Sequence, residues 1–419
     1  MVAVGAIVDR QSLADWLLDR SDEKARKFAI AIAHRSAMRV LPVYWSHAIG
    51  VSMSGESGEA AEKALLVLRC HLLASLCNSP HRHRPIIEQT ANRILKTFTY
   101  ESIYFALRLA DEAGFPGDEN SSDIDLAGAT ALTALSVGLS ADSGFVELAL
   151  STTGGYISLF GAGVDQLNKA LLGNAISDCK KLAKGKGLMR SPLWNGNQNP
   201  FQTQWDALRQ SPNKTQHLGY GLNYGQSYGG ARSVDWSFWI KWYQDALEGR
   251  EPDWDMLAEI ALIPGGDWKK GPEHINNQVI AGIVEKYRLL RDVQALRKEL
   301  AAVRQTATAA PMGHNNPPEG IEAEAEVVTQ TEIIWAALEE AEEELSKPEP
   351  SPSDLKRIGT AILKALGEIG KYGAKLVDVA LKAVAGTVGA GVGAHLISKG
   401  PEIQSVAERI LDYVGAYLP

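Results

Sequence analysis

The sequence predicts an all-α protein built from several multi-helical bundle domains. Apolar residues recur at spacings of three and four along most of the chain, which is the repeat of one face of a helix. No segment keeps the alternation of apolar and polar residues that is typical of a β-strand. Pro and Gly cluster in a few stretches, and these stretches divide the chain into helical regions.

The first predicted domain covers residues 1–190 and consists of successive amphipathic helices. Within it, Leu65, Leu68, Leu72 and Leu76 lie on one helical face. Residues 191–234 are rich in Gly, Asn, Gln and Tyr, with little to bury. We therefore predict a long loop or insertion between this domain and the next one.

The densest group of aromatic side chains lies in residues 235–275, a Trp-rich module. Trp236, Trp239, Trp242 and Tyr243 are spaced so that most of them share a helical face. One interpretation is an interaction surface, because Trp supplies a large contact area at low entropic cost. The alternative is a core that holds several short helices together, and helical spacing of aromatic residues favours the core.

Residues 276–346 predict a short coiled-coil-like helical hairpin. Leu289, Val293, Leu296 and Leu300 repeat at spacings of four and three, which makes a heptad seam. A Pro- and Gly-rich linker at residues 310–320 leads to an acidic helix with the same repeat. The two seams could pair with each other or with another chain, so these four residues are candidate interaction residues.

Residues 353–419 predict a separate C-terminal helical region. Its first helix places lysines beside an apolar stripe, and a Gly-rich apolar segment follows. Helices that bind an anionic membrane surface have this pattern, and so do the helices of globular bundles. The candidate membrane residues are Lys364, Lys371, Lys375, Lys382, Gly386, Gly389 and Gly393.

One group of potential zinc ligands comprises Cys70, Cys77, His81 and His83. The two cysteines are about two helical turns apart, which does not match the short paired spacings of zinc sites. A buried thiol and a basic loop explain the same residues, so we expect neither a metal nor a cofactor. Motifs for phosphate-binding loops, zinc proteases and serine hydrolases are absent from the sequence.

The charge balance argues against nucleic acid as the partner. The formal net charge is −8, whereas a surface that binds phosphates needs clustered Lys and Arg. The three cysteines match no disulfide framework, and no secretory signal or membrane-spanning stretch is evident. We therefore expect a cytoplasmic protein, with peripheral membrane association as the alternative.

The Trp-rich module resembles a module of uncharacterised alphaproteobacterial-type proteins. The resemblance depends on Asp235–Tyr243, Ile260–Pro264 with Trp268, and the linker Gly313–Glu319. It is close over residues 235–319 and loose over most of the chain. No activity is attached to that module, so the resemblance assigns no functional residue.

These observations lead to three hypotheses about function. The first is a non-enzymatic protein that acts by self-association or by binding a protein partner. The second is a conditional membrane-acting effector, in a stress or phage-defence setting, that uses the C-terminal region. The third is an enzyme whose motifs are unfamiliar.

Overall fold

A computed structural model describes residues 3–8, 10–53, 58–77, 84–95, 165–196, 199–210, 234–308, 322–382 and 388–418. Within these ranges 82% of the residues are helical and none lies in a β-strand, which confirms the predicted all-α class. The chain divides into two compact units, Met1–Asn277 (unit 1) and Gln278–Pro419 (unit 2).

The helices of unit 1 differ widely in length. In chain order, those of its described residues are α1 (Arg10–Leu18), α2 (Asp22–Met53), α3 (Gly58–Cys77), α4 (Arg84–Leu95), α5 (Asp165–Ala183), α6 (Gln202–Gln210), α7 (Ser237–Glu248), α8 (Trp254–Ala261), α9 (Gly265–Trp268) and α10 (Pro272–His274). The described residues also form two 3-10 turns, Val4–Ala6 and Leu188–Arg190, and a π-helical turn, Ile275–Ile280, follows α10.

Helix α2 organises unit 1, because it packs against α1, α3, α5 and α6. The sequence predicts that this helix ends near Pro42, yet it continues to Met53. An interior proline removes one backbone hydrogen bond and costs about 3 kcal/mol. Side chains such as Ile32 and Met38, which are almost completely buried, offset that cost by packing into the core.

The described residues of unit 2 form a four-helix bundle made of α11 (Ala281–Thr308), α12 (Glu322–Leu345), α13 (Pro352–Lys382) and α14 (Val388–Tyr417). Each helix packs against the next one, and α14 returns to α11. Lys286 near the start of α11 donates to the carbonyl oxygen of Lys347, just after α12, whereas Arg297 further along α11 pairs with Glu339. These two helices are therefore antiparallel, as the two helices of a hairpin must be.

The predicted separate C-terminal region is in fact half of this bundle. The buried core contains the seams of α11 and α12 and, from α13, the stripe of Leu355, Ile358, Ile362, Ala365 and Ile369. Burying one large aliphatic side chain contributes about 1.5–3 kcal/mol, so α13 is stabilised by packing against α12 and α14. The amphipathic pattern of α13 thus reflects the bundle.

Six of the seven candidate membrane residues lie in helices α13 and α14 of this bundle. Lys364 and Lys371 are exposed, and Lys371 pairs with Glu368 at 2.7 Å. Lys375 and Lys382 continue α13, Gly389 and Gly393 lie near the start of α14, and Gly386 lies outside the described residues. Across the described part of the chain, no helix is both long enough and apolar enough to cross a membrane.

Candidate functional site

The aromatic residues of the Trp-rich module form part of the core of unit 1. Trp239 and Tyr243 are completely buried, and Trp236 and Trp242 are each 8% exposed. The indole N–H of Trp239 donates to Asn276, 3.1 Å away. Almost none of the area of these four side chains reaches the solvent, so they pack in the core of unit 1, as the alternative interpretation of their helical spacing has it.

The heptad seam is also enclosed. Leu289, Val293, Leu296 and Leu300 are between 0 and 6% exposed and belong to the core of unit 2. Their partners are the apolar residues of the other three helices in the same chain. The seam is thus satisfied within one molecule, so it does not offer the surface that self-association would need.

Of the four candidate zinc ligands, Cys70 is the one whose side chain the structure describes. Cys70 is completely buried, and burial raises the pKa of its thiol to about 12, which disfavours the thiolate that zinc requires. His81, His83 and the side chain of Cys77 lie outside the described residues. Within the described ranges, no group of three or more His, Cys, Asp and Glu side chains could hold a metal ion.

A buried network of charges joins α2 to α5. Arg35 Nε lies 3.0 Å from Asp178 Oδ2, and Arg39 pairs with the same carboxylate oxygen. All three side chains are at most 5% exposed. A carboxylate between two guanidinium groups is the arrangement that makes buried charges tolerable in a protein interior.

The same two arginines fix the segment that follows α5. Arg35 donates from Nη1 and Nη2 to three carbonyl oxygens of this segment, and Arg39 donates to a fourth. The acceptors are Leu188 at 2.8 Å, Ser191 at 2.9 Å and Pro192 at 2.6 Å for Arg35, and Leu193 at 3.0 Å for Arg39. Residues 188–193 are therefore held against α2 by charge-assisted hydrogen bonds.

A second contact holds this segment from the other side. Gly249, with φ of 68°, ends α7 and lies so close that an added Cβ would be 2.5 Å from the backbone nitrogen of Pro192. Only glycine fits both that conformation and that distance. Arg190 pairs with Glu251 just beyond this turn.

These elements enclose a pocket of about 520 Å³, which we call the cationic pocket. Four basic side chains line it: Lys24 and Lys27 from α2, and Lys186 and Arg190 from the segment after α5. Among its described lining residues, Glu251 is the one acidic side chain. The remaining residues are mainly apolar or glycine: Phe28, Ala31, Leu182, Ala183, Gly185, Gly187, Leu188, Met189, Pro252 and Trp254.

The residues beside the pocket include a further lysine with cationic neighbours. Lys181, one turn from the end of α5, has its pKa lowered by partial burial. Asp178 opposes this shift, whereas Arg35, Arg39 and Lys186 add to it. A lysine surrounded by other cations loses its proton more easily, so the lowered pKa reflects a positive local potential as well as burial.

Two histidines form a different kind of buried group in unit 1. His34 of α2 and His71 of α3 lie edge to face with ring centroids 6.5 Å apart, and both are completely buried. Burial lowers the pKa of each to about 3, and the neighbouring Arg35 contributes to the shift of His34. Both rings are therefore neutral at pH 7, and they pack as part of the helix interface.

The residues of the cationic pocket were not predicted from the sequence. Residues 180–190 contain five basic residues and no acidic one, which is the signal that could have found half of the pocket. The negative net charge of the whole chain gives no indication of this local run of basic residues. Lys24 and Lys27 are about 160 positions away, so their approach depends on the packing of α2 against α5.

The comparisons with known proteins add no assignment to this geometry. No known protein family, curated protein or solved structure matches the chain.

Proposed function

We propose that this chain is a non-enzymatic binding protein whose unit 1 receives an anionic ligand in the cationic pocket. The observation that carries this proposal is the convergence of Lys24, Lys27, Lys186 and Arg190 on one pocket with a single carboxylate, Glu251. Holding like charges together raises the energy of the folded protein, and a bound anion lowers it.

The arrangement suits binding because the pocket wall is rigid. The network of Arg35, Arg39 and Asp178 fixes residues 188–193, and this segment carries Arg190. A preorganised site loses little conformational entropy when a ligand binds. The proposal assigns no catalytic step, because no acid, base or nucleophile of the pocket is paired for chemistry.

We therefore propose the cationic pocket as the binding site, in place of the surfaces that the sequence suggested. The aromatic side chains of Trp236, Trp239, Trp242 and Tyr243 and the heptad seam are part of the two cores, so neither group is included in the proposal. The apolar stripe of α13 is part of the bundle as well, so the proposal does not place the protein on a membrane through that helix.

A calorimetric titration with inorganic pyrophosphate at low ionic strength tests the proposal. We expect saturable binding that weakens as salt is added, and at least a tenfold loss of affinity in the triple variant Lys24→Glu/Lys27→Glu/Lys186→Glu. The matched control is Lys298→Glu/Lys356→Glu/Lys364→Glu, which changes the net charge equally on exposed residues of unit 2. Equal affinities of the two variants for pyrophosphate would contradict the proposal.

A further inference from the structure

The cationic pocket has two zones of different chemistry. The basic side chains of Lys24, Lys27, Lys186 and Arg190 are exposed at its mouth. Its inner surface is apolar and includes Phe28, which is only 6% exposed. A site for a small inorganic anion alone would instead surround the ion with donors, so the apolar interior needs its own explanation.

We infer that the pocket binds an amphipathic anion, in which a negatively charged group is joined to an apolar body. This inference rests on the proposed function and names the class of ligand. The charged group would meet the basic side chains at the mouth, and the apolar body would lie against the interior. Burial of the apolar body contributes binding energy that is independent of salt.

The interior offers a partly exposed surface for that body. Trp254, at the start of α8, and Met189 both line the pocket and are half-buried. An indole face and a thioether are surfaces that accept apolar groups of varied shape. Asp253 caps the same helix by accepting a hydrogen bond from the backbone N–H of Met256, 3.2 Å away, so the start of α8 is fixed.

The ring of Phe28, which lines the pocket, packs against neighbouring side chains. The rings of Phe28 and Trp16 are stacked with centroids 5.7 Å apart. Arg20 lies 3.7 Å from the ring centroid of Trp16 and 5.9 Å from that of Phe28, and Lys24 lies 5.7 Å from the centroid of Phe28. Phe28 therefore connects the apolar floor with one of the basic residues at the mouth, so a ligand with both properties can contact both zones.

The volume of the pocket agrees with a small molecule. About 520 Å³ lies within the range of roughly 300–1,000 Å³ that is typical of pockets for drug-sized ligands. An apolar body with one or two rings, or a short alkyl chain, can fill such a volume. The experiment therefore includes both kinds of apolar body.

Displacement of the fluorescent anion 1-anilinonaphthalene-8-sulfonate from the full chain tests the inference. The competitors are naphthalene-1-sulfonate, octyl sulfate, inorganic sulfate and the uncharged 1-naphthalenemethanol. We expect naphthalene-1-sulfonate or octyl sulfate to bind at least tenfold more tightly than either sulfate or the uncharged naphthalene. The order of the first two shows whether the pocket prefers an aromatic or an alkyl body.

Variants on each zone separate the two contributions. Trp254→Ala should weaken the better amphipathic competitor about tenfold and leave the affinity for pyrophosphate unchanged, whereas the conservative Trp254→Phe should retain both affinities. Met189→Ser provides a second test of the apolar zone with a smaller change of volume. If sulfate displaces the probe as well as naphthalene-1-sulfonate and octyl sulfate do, the inference is overturned although the pocket still binds anions. If pyrophosphate also fails to bind, the proposed function fails with it.

Discussion

The two units bury their polar groups in different ways. The core of unit 2 is a set of apolar heptad positions, and its buried polar side chains are limited, in the described residues, to Lys286, Thr331 and Glu344. In unit 1, by contrast, α2 alone buries His34, Arg35, Ser36 and Arg39. A core of the first kind gives stability, whereas a buried charge network is retained where it fixes a particular geometry.

The difference assigns separate roles to the two units. In the described residues of unit 2, the heptad seams and the apolar stripe of α13 are buried within the bundle. Unit 1 uses buried charges to hold a loop, and that loop forms one wall of the cationic pocket. We therefore propose that specific recognition belongs to unit 1. Four predictions test this difference between the two units.

The largest effect is expected from Asp178→Asn, which leaves two buried guanidinium groups without a negative partner. Breaking a buried pair in this way costs about 3–5 kcal/mol of the free energy of unfolding. Nine of the ten tryptophans lie in residues 1–277, so tryptophan fluorescence during urea denaturation reports on unit 1. As the control, Glu340→Gln disrupts the exposed pair with Arg357 in unit 2 and should leave the fluorescence transition unchanged.

Ile362→Ala should destabilise unit 2 by about 2–5 kcal/mol, because it opens a cavity at a completely buried position of the bundle. The loss should appear in far-UV circular dichroism, with the fluorescence transition of unit 1 unchanged. Thr360→Ala, an exposed position on the same helix, is the matched control. A transition of either variant that depends on protein concentration would indicate that self-association contributes to the bundle.

Acid should destabilise unit 1 through His34 and His71. Each has a folded-state pKa of about 3, below the usual value of 6.5, so the unfolded chain binds the proton first. The free energy of unfolding therefore falls as the pH falls from 6.5 towards 3, with a slope of up to about 1.4 kcal/mol per pH unit for each histidine. Urea denaturation followed by tryptophan fluorescence at several pH values measures this slope.

The double variant His34→Gln/His71→Gln tests the origin of that slope. It should flatten the dependence between pH 6.5 and 5, even though the exchange itself lowers stability at pH 7. An unchanged slope would show that carboxylates alone cause the acid sensitivity.

The smallest effect is expected from Glu251→Gln, which removes the carboxylate at the mouth of the pocket. We expect the affinity for pyrophosphate to rise a few-fold, because Arg190 then loses its competing partner. Glu248→Gln is the control, since Glu248 pairs with Arg250 and does not line the pocket. Equal effects of both variants on the titration would indicate a general charge effect.

The sequence predicted the parts of the fold that depend on a local repeat. The seams at Leu289–Leu300 and Ile334–Leu345 are buried as their heptad spacing indicates. The lengths of helices were harder to predict. A proline such as Pro42 ends a helix only where tertiary packing does not support its continuation. The prediction of a separate C-terminal region was wrong for a related reason. An amphipathic stripe shows that a helical face is buried, but it does not identify what covers that face.

The candidate site could not be predicted in the same way. Trp239 and Tyr243 were candidate interaction residues because aromatic side chains occur both in cores and in interfaces. Only the packing of the folded chain distinguishes the two. The cationic pocket combines Lys24 and Lys27 with Lys186 and Arg190, which are far apart in the chain. The buried carboxylate that brings their helices together, Asp178, carries no signal in the sequence.

The most direct test of anion recognition by unit 1 is the protection of individual lysines from acetylation, measured by mass spectrometry. The full chain is acetylated with and without saturating naphthalene-1-sulfonate, and with pyrophosphate in a parallel sample. We predict that either anion protects Lys24, Lys27 and Lys186, whereas Lys298, Lys356 and Lys364 of unit 2 react at the same rate throughout. Uniform reactivity of all six lysines, or protection confined to unit 2, would contradict the assignment of anion recognition to unit 1.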